Sequence, residues 1–300
     1  MDPEKPKVII VVGPTASGKS DLAITLAQKY GGEIISADSR QIYRKLDIGT
    51  AKTTSEEMKG VPHHLIDILD TSASYSAADF KKDARETIDS IIDRGNRPII
   101  AGGTFFYIDA LLERVGTADV PPNQELREKL EAMPNDSLYE ALLKLDERRA
   151  LEIDKDNKRR LVRALEIIEA RGKVPEQSES ISPYQTLFLG IKVEKNELRK
   201  RFTKRAKKWL QNGFLEEVQE LLSSGVSDER LSEIGFEYKL GIDLLHKKIT
   251  EATFLQMFEE KNWQYAKRQL TWLKKDTSIN WVTHSDKREI DLLIKQFLMS

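Results

Sequence analysis

The stretch Gly13-Pro14-Thr15-Ala16-Ser17-Gly18-Lys19-Ser20 follows the apolar run Val8 to Val12 and precedes the helix-forming segment Asp21 to Ala27. A strand, a glycine-bounded loop ending in Lys-Ser, and a helix make the phosphate-gripping loop of parallel α/β proteins. Its glycines let backbone N–H groups close around phosphate oxygens, and the helix N-terminus adds the positive end of its dipole. Lys19 supplies a cation, and the Ser20 hydroxyl is placed to ligate Mg2+. The motif establishes that a polyphosphate binds. It does not say which one.

The rest of the chain must then supply a parallel sheet. Glu33 to Ala37 and Pro98 to Ala101 read as further buried strands, and Leu187 to Val193 and Ile279 to Val282 as late ones. Continuous apolar strands separated by helices imply a sheet covered on both faces. Between about Val115 and Tyr184 the pattern turns helical, with Leu126/Leu130, Leu138/Leu142/Leu145 and Leu161/Leu165/Ile168 at helical spacing. Val120-Pro121-Pro122 opens this stretch and the polar run Gly172 to Pro183 closes it. The expected fold is a P-loop α/β core (1–114 and 185–300) carrying an inserted all-helical module (115–184). Helices are expected at roughly 197–212, 214–224 and 251–275.

In open parallel sheets ligands gather at the C-terminal strand ends. Asp38 leaves the second strand there, and Gly102-Gly103-Thr104 leaves the third, so both should face the phosphate loop. A carboxylate in that position can accept a proton from a nucleophile or hold Mg2+. Leu65 to Leu69 is a weaker candidate strand, with Asp67 as a possible metal ligand. His63 and His64 have no third ligand at metal-binding spacing, which favours packed or hydrogen-bonded roles.

Composition narrows the chemistry. The chain of 300 residues contains no cysteine, which excludes a thiolate nucleophile, a disulfide scaffold and a cysteine-based zinc site. With a formal charge of −1, nucleic-acid binding would have to come from local basic patches. Two exist: Lys158, Arg159, Arg160 and Arg163, and the stretch Lys195 to Lys208, with eight basic residues against one acidic. In the latter, Leu198, Phe202, Ala206 and Trp209 form an apolar stripe, while Arg201 and Arg205 share a neighbouring face. No secretory signal or membrane span is read, and a cytoplasmic location is expected.

The blocks GPTASGKS (13–20), SADSRQIYRKLDIGTAK (36–52), VPHHLIDI (61–68), YSAADF (75–80), AGGTFFY (101–107), RRLVRALEI (159–167) and YAKRQLTW (265–272) together resemble tRNA dimethylallyltransferases, also called tRNA isopentenyltransferases. The similarity runs in order along nearly the whole chain. It implies a P-loop kinase-like core with a helical insertion that binds tRNA. It also implies dimethylallyl diphosphate as donor, Mg2+ as cofactor, and a tRNA anticodon stem-loop as partner. The acceptor would be N6 of the adenine just 3′ of the anticodon. By the same resemblance Asp38 is the general base, Gly13 to Ser20 hold the diphosphate with Ser20 on the metal, and Thr104 and Arg205 join the catalytic group. Asp38, Ser39, Arg40, Gln41, Thr104, Arg127, Arg159, Arg160, Leu161, Val162 and Arg163 are implied to touch the RNA. A monomer is expected. The chain departs from the family's usual pattern at Trp263, at Phe105 and in Ile234-Gly235-Phe236-Glu237-Tyr238-Lys239.

The chemistry agrees with this reading. Displacement at an allylic carbon needs the leaving diphosphate stabilised, the amine held in line, and a carboxylate to take its proton. Three alternatives share parts of the pattern: a small-molecule P-loop kinase, an isopentenyltransferase for free adenine nucleotides, and a non-enzymatic RNA-binding module. The kinase would show an arginine-rich lid. The nucleotide enzyme leaves the basic helical insertion unexplained, and the binding module does not need Asp38 beside a complete phosphate loop.

Overall fold

The computed structural model describes residues 5–116, 120, 123–174 and 181–300. Pro121, Pro122 and residues 175–180 of the two expected hinge stretches lie outside them. Six strands, β1 (Lys7–Val12), β2 (Gly32–Ala37), β3 (His63–His64), β4 (Arg97–Gly102), β5 (Gln185–Ile191) and β6 (Ile279–Val282), form one sheet in the order β3-β2-β4-β1-β5-β6. Every pairing is parallel, with Ile10 between Ile100 and Phe188 at the centre. After β1 the chain builds β2, β3 and β4 to one side and then β5 and β6 to the other. The direction of winding reverses at β1, and such a reversal opens a crevice at the C-terminal strand ends. The phosphate loop starts there.

Helices α1 (Lys19–Tyr30), α2 (Ser55–Met58), α3 (Ala77–Asp93) and α4 (Phe105–Leu111) belong to the first half of the core. The strands are apolar on both faces, so each face needs a cover. Ile9, Val11, Ile34, Ile99 and Leu189 pack with Leu22, Ile24 and Leu26 of α1 and with Ile290 and Ile294 of the C-terminal helix. Helix α3 presents Ala77, Phe80, Ala84, Ile88 and Ile91, one helical stripe, all buried. Burying each large aliphatic chain contributes about 1.5–3 kcal/mol.

The chain divides into two compact units, Met1–Leu112 with Ser182–Ser300, and Glu113–Ile181. The second contains α5 (Gln124–Glu131), α6 (Asn135–Leu145), α7 (Glu147–Glu152) and α8 (Lys158–Arg171), with no strand among its described residues. Leu138, Leu142, Leu161, Leu165 and Ile168 form its core. The first unit ends in α9 (Lys195–Gln211), α10 (Phe214–Ser223), α11 (Asp228–Ile234), α12 (Phe236–Leu245), α13 (Glu251–Leu273) and α14 (Lys287–Met299). Trp209, Phe214, Tyr238, Phe254 and Phe258 make an aromatic core for α9, α10, α12 and α13. Among the described residues no helix is long and apolar enough to cross a membrane.

The stretch Leu65 to Leu69 corrects the sequence reading. The strand lies one step earlier, on His63–His64, and Leu65 and Asp67 adopt φ of +59° and +56°, which no strand allows. Asp67 is turned to meet the buried Lys52, whose ammonium also reaches Asp47 and the Tyr43 carbonyl. His64 donates to Glu33 at 2.6 Å and His63 to the Val61 carbonyl at 2.9 Å.

Candidate active site

The phosphate loop bends through Ala16 and Gly18, at φ of +62° and +91°. Gly18 has no alternative, because a Cβ there would overlap the His284 imidazole as well as strain the backbone. Gly18 is also the N-cap of α1 and supplies no side-chain cap, so the first N–H groups of that helix are left for an anion.

Three side chains from distant elements hold the loop in shape. Arg201 of α9 donates to the Ala16 and Ser17 carbonyls at 3.1 and 3.3 Å. His284 donates to the Ser17 carbonyl at 3.0 Å from the turn before α14. Gln269 of α13, almost wholly buried, accepts the Thr15 N–H at 2.8 Å and donates to the Gly103 carbonyl at 3.1 Å. The Ser17 hydroxyl is buried without a hydrogen-bond partner, and Arg205 donates to the Thr15 hydroxyl at 3.1 Å.

Asp38 stands at the end of β2. Its Oδ1 accepts the Arg40 N–H at 3.0 Å, an Asx turn that fixes the carboxylate against its own loop. Next to it, Thr104 accepts the Ser39 N–H at 3.0 Å, donates to the Ser39 hydroxyl at 3.3 Å, and sends its own N–H to the Ala37 carbonyl. This proximity needs a glycine at 102, where any Cβ would overlap the Ala37 backbone. Gln41 donates to the carbonyls of Thr50 and Ala51, closing the loop behind Asp38.

The electrostatics tie these pieces together. Burial pulls the Lys19 ammonium down to about 8, with Asp38 opposing the shift and Arg205 adding to it. Burial also lowers the Arg205 guanidinium, against the pull of Glu237 and Asp38. Burial, then the charge of Asp38, pushes the Tyr265 phenol up to about 12. Lys19, Arg205 and Tyr265 therefore all feel one carboxylate, in a site with two desolvated cations. Such a site favours an anion that brings several negative charges.

The family model described as IPP transferase matches residues 41–276. A tRNA dimethylallyltransferase of Halalkalibacterium halodurans is 39% identical over 94% of this chain and 92% of its own length. One from Thermomicrobium roseum is 40% identical over 94% and 87%. Among solved structures, a Staphylococcus epidermidis tRNA isopentenylpyrophosphate transferase superposes with a TM-score of 0.72 at 36% identity, covering 98% of this chain and 99% of that one. A eukaryotic dimethylallyltransferase acting on tRNA gives 0.81 at 30% identity, over 97% and 77%. The chain belongs to the tRNA dimethylallyltransferase family. It is a prenyltransferase.

The phosphate loop, Asp38 to Gln41 and Thr104 fall in the first unit at the C-terminal ends of β1, β2 and β4, and Arg205 reaches the loop from α9. Arg127, Arg159, Arg160, Leu161, Val162 and Arg163 fall in the second. There Arg127 donates through Nε and NH2 to both oxygens of the buried Glu166 at 2.9 Å, and Arg163 donates to the same carboxylate and to the Val120 carbonyl. Burial works against the Glu166 charge, yet these donors and the Asn123 N–H hold it below the usual carboxylate range. The side chains of Leu161 and Val162 are interior, with 0% and 4% exposed, so they hold α8 in its unit. Arg159 and Arg160 are exposed at the start of α8, the part of the set open to a phosphate backbone.

The residues at which this dimethylallyltransferase-family chain departs from the usual pattern have clear surroundings. Trp263 packs against the cluster of Leu198, Phe202 and Ala266, its ring facing the Lys195 ammonium at 5.1 Å and the Arg199 guanidinium at 5.8 Å. Phe105 stacks in parallel on Trp272 with centroids 4.6 Å apart and is buried, which makes it a packing residue. Gln269 and His284 were given no role by sequence reasoning, and Glu237 entered it only as part of the departing segment 234–239. For Gln269 the signal was present in the YAKRQ block, which placed it one residue beyond two exposed cations.

Proposed function

We propose that this enzyme transfers the dimethylallyl group of dimethylallyl diphosphate to N6 of the adenine 3′-adjacent to the anticodon, with Asp38 as general base. The observation that carries the reading is that Asp38 and Thr104 leave neighbouring strand ends, joined through the Ser39 N–H, with Asp38 within electrostatic reach of Lys19 of the phosphate loop and Arg205 of α9. The diphosphate is held by the α1 N-terminus, Lys19 and the Thr15 to Ser20 backbone, and the unpartnered Ser17 hydroxyl offers it a donor. Arg205 meets the leaving group as its charge grows. Asp38 takes the proton from the exocyclic amine as the N–C bond forms and the C–O bond to diphosphate breaks. The adenine reaches Asp38 by leaving its stack, as in other enzymes that modify a base. The exposed pair Arg159 and Arg160 binds the RNA backbone from the helical unit.

Mg2+ fits the donors present. The Ser20 hydroxyl makes no hydrogen bond among the described residues and opens the first turn of α1. One protein oxygen beside a diphosphate is the kind of site Mg2+ uses, completed by phosphate and water. When bound it neutralises charge on the leaving diphosphate. The substrate implies a cytoplasmic enzyme, and a single copy carries every residue named here.

Asp38→Ala tests the assignment. Single-turnover transfer should fall by at least about a thousandfold, a typical scale for loss of a general base, while affinity for an anticodon stem-loop stays within about twofold. A variant that keeps its single-turnover rate refutes the general-base role.

A further inference from the structure

The loop that carries Asp38 runs from the end of β2 to Lys52 and turns through Lys45 and Ala51 at φ of +65° and +51°. Backbone of that kind persists only where its surroundings hold it. Two consecutive residues of α12 do so, one at each end of the loop.

At the near end, the guanidinium of Arg40 donates to Glu237 at 2.7 Å, while the N–H of the same residue fixes Asp38. The Glu237 side chain is 6% exposed and that of Arg40 23%. The Phe236 and Tyr265 rings lie 5.8 and 5.4 Å from the guanidinium carbon, so Arg40 is confined by rings as well as by its ion pair. Burial opposes the charge on Arg40, and Glu237 is the largest influence that restores it. At the far end, Tyr238 donates to Glu217 at 2.9 Å, and Glu217 accepts the N–H groups of Asp47, Ile48 and Gly49 at 3.0, 2.7 and 3.0 Å. A Cβ on Gly49 would stand 2.6 Å from Tyr238 Cζ, so the loop backbone rests on that ring.

We infer that Glu237 is a positioning residue for the transfer reaction, acting through Arg40 to set the Asp38 carboxylate, with Tyr238 and Glu217 anchoring the other end of the same loop. This rests on the reading of Asp38 as the base. Neither residue touches the phosphate loop in the contacts described, whose braces are Gln269, Arg201 and His284. The hydrogen bonds of the device therefore all run to the loop that carries Asp38, while the Glu237 charge also pulls on Arg205. It also gives the departure at 234–239 a function, because Glu237 and Tyr238 are the residues that reach the loop.

Glu237→Gln keeps the shape and removes the charge. Misplacing a reacting group by about 1 Å costs on the order of a hundredfold, so single-turnover transfer should fall roughly ten- to a hundredfold. In Arg40→Gln, which leaves the Glu237 charge beside Arg205, the KM for dimethylallyl diphosphate should change by less than about twofold, as expected when only transition-state geometry is lost. Arg40→Gln should reproduce the loss, and the double variant should be no slower than either single one, because both break one link. Tyr238→Phe should give a smaller loss in kcat with the same unchanged KM, and serves if Glu237→Gln does not fold. A Glu237→Gln enzyme at the parental rate, with Asp38→Ala inactive, overturns the positioning role and leaves the base assignment standing. Losses that multiply in the double variant overturn action through Arg40. An active Asp38→Ala enzyme removes the base assignment itself.

Discussion

Gln269 and Thr15 are joined by a 2.8 Å hydrogen bond that fastens the phosphate loop to α13, while the other end of the same amide holds the Gly103 carbonyl at 3.1 Å. One buried side chain thereby sets the spacing between the phosphate loop and the strand end that carries Thr104.

Gln269→Leu leaves a buried N–H and a buried carbonyl without partners. Each orphaned group costs about 1–3 kcal/mol. The variant should melt lower and bind dimethylallyl diphosphate more weakly, measured by calorimetry. Unchanged donor affinity would show that the loop holds its shape without α13.

Burial disfavours the Lys19 charge and pulls its ammonium down to about 8. A bound diphosphate favours the charged form and raises that value. Donor affinity should therefore be level below about pH 8 and fall as pH rises above it, by up to about tenfold per unit. Titration calorimetry at pH 8.5 in buffers of different ionisation enthalpy should register proton uptake on binding. No uptake would contradict the assignment of Lys19 to the diphosphate.

Glu33 is the corresponding group for stability. Hydrogen bonds from Arg94, opposed by burial and helped by Asn96 and His64, bring its carboxyl down to about 2 from an ordinary 4.5. A depressed carboxylate contributes stability above its unfolded value, and that contribution is lost as pH falls through the folded one. Melting temperature should decline between about pH 4.5 and pH 2. Glu33→Gln should melt lower at pH 7, with the gap closing towards pH 2. A gap independent of pH would rule out the ion pair as its source.

The basic residues of the helical unit should separate into two kinds. Neutralising exposed Arg159 and Arg160 should weaken stem-loop binding and reduce its salt dependence, by a slope of up to about 0.7–0.9 per lost phosphate contact. Removing Arg127 should instead destabilise the unit by about 1–3 kcal/mol, because Glu166 is left short of a partner. A normal melting curve for Arg127→Ala would free that residue for an RNA role.

The parts of the site that could be seen in the sequence are those encoded locally. A strand, Gly13 to Ser20 and a helix are contiguous, and Asp38 and Thr104 each follow directly from the strand that places them. What stayed hidden depends on contacts across the chain: Gln269 meets Thr15 from 254 residues away and His284 meets Ser17 from 267. No periodicity carries such information. Leu65 to Leu69 was misleading for a related reason. Its apolar spacing suits a strand, but the buried Lys52 captures Asp67 and turns the backbone over. In the helical unit, apolar spacing picked out Leu138, Leu142, Leu161, Leu165 and Ile168 of the core but also Leu145, which is exposed, and it carried no sign that Arg127 and Arg163 share Glu166 on the apolar side of α8.

The most direct test of the account is transfer itself. The protein is mixed with Mg2+, radiolabelled dimethylallyl diphosphate and an anticodon stem-loop carrying adenines on the 3′ side of its anticodon, and the RNA is digested to nucleosides. Label should appear on the adenosine 3′-adjacent to the anticodon and vanish when that base is replaced by guanine. Label on free AMP with none in RNA would point to a nucleotide prenyltransferase, and no transfer with ATP consumed on small metabolites would leave only the phosphate loop of this account standing.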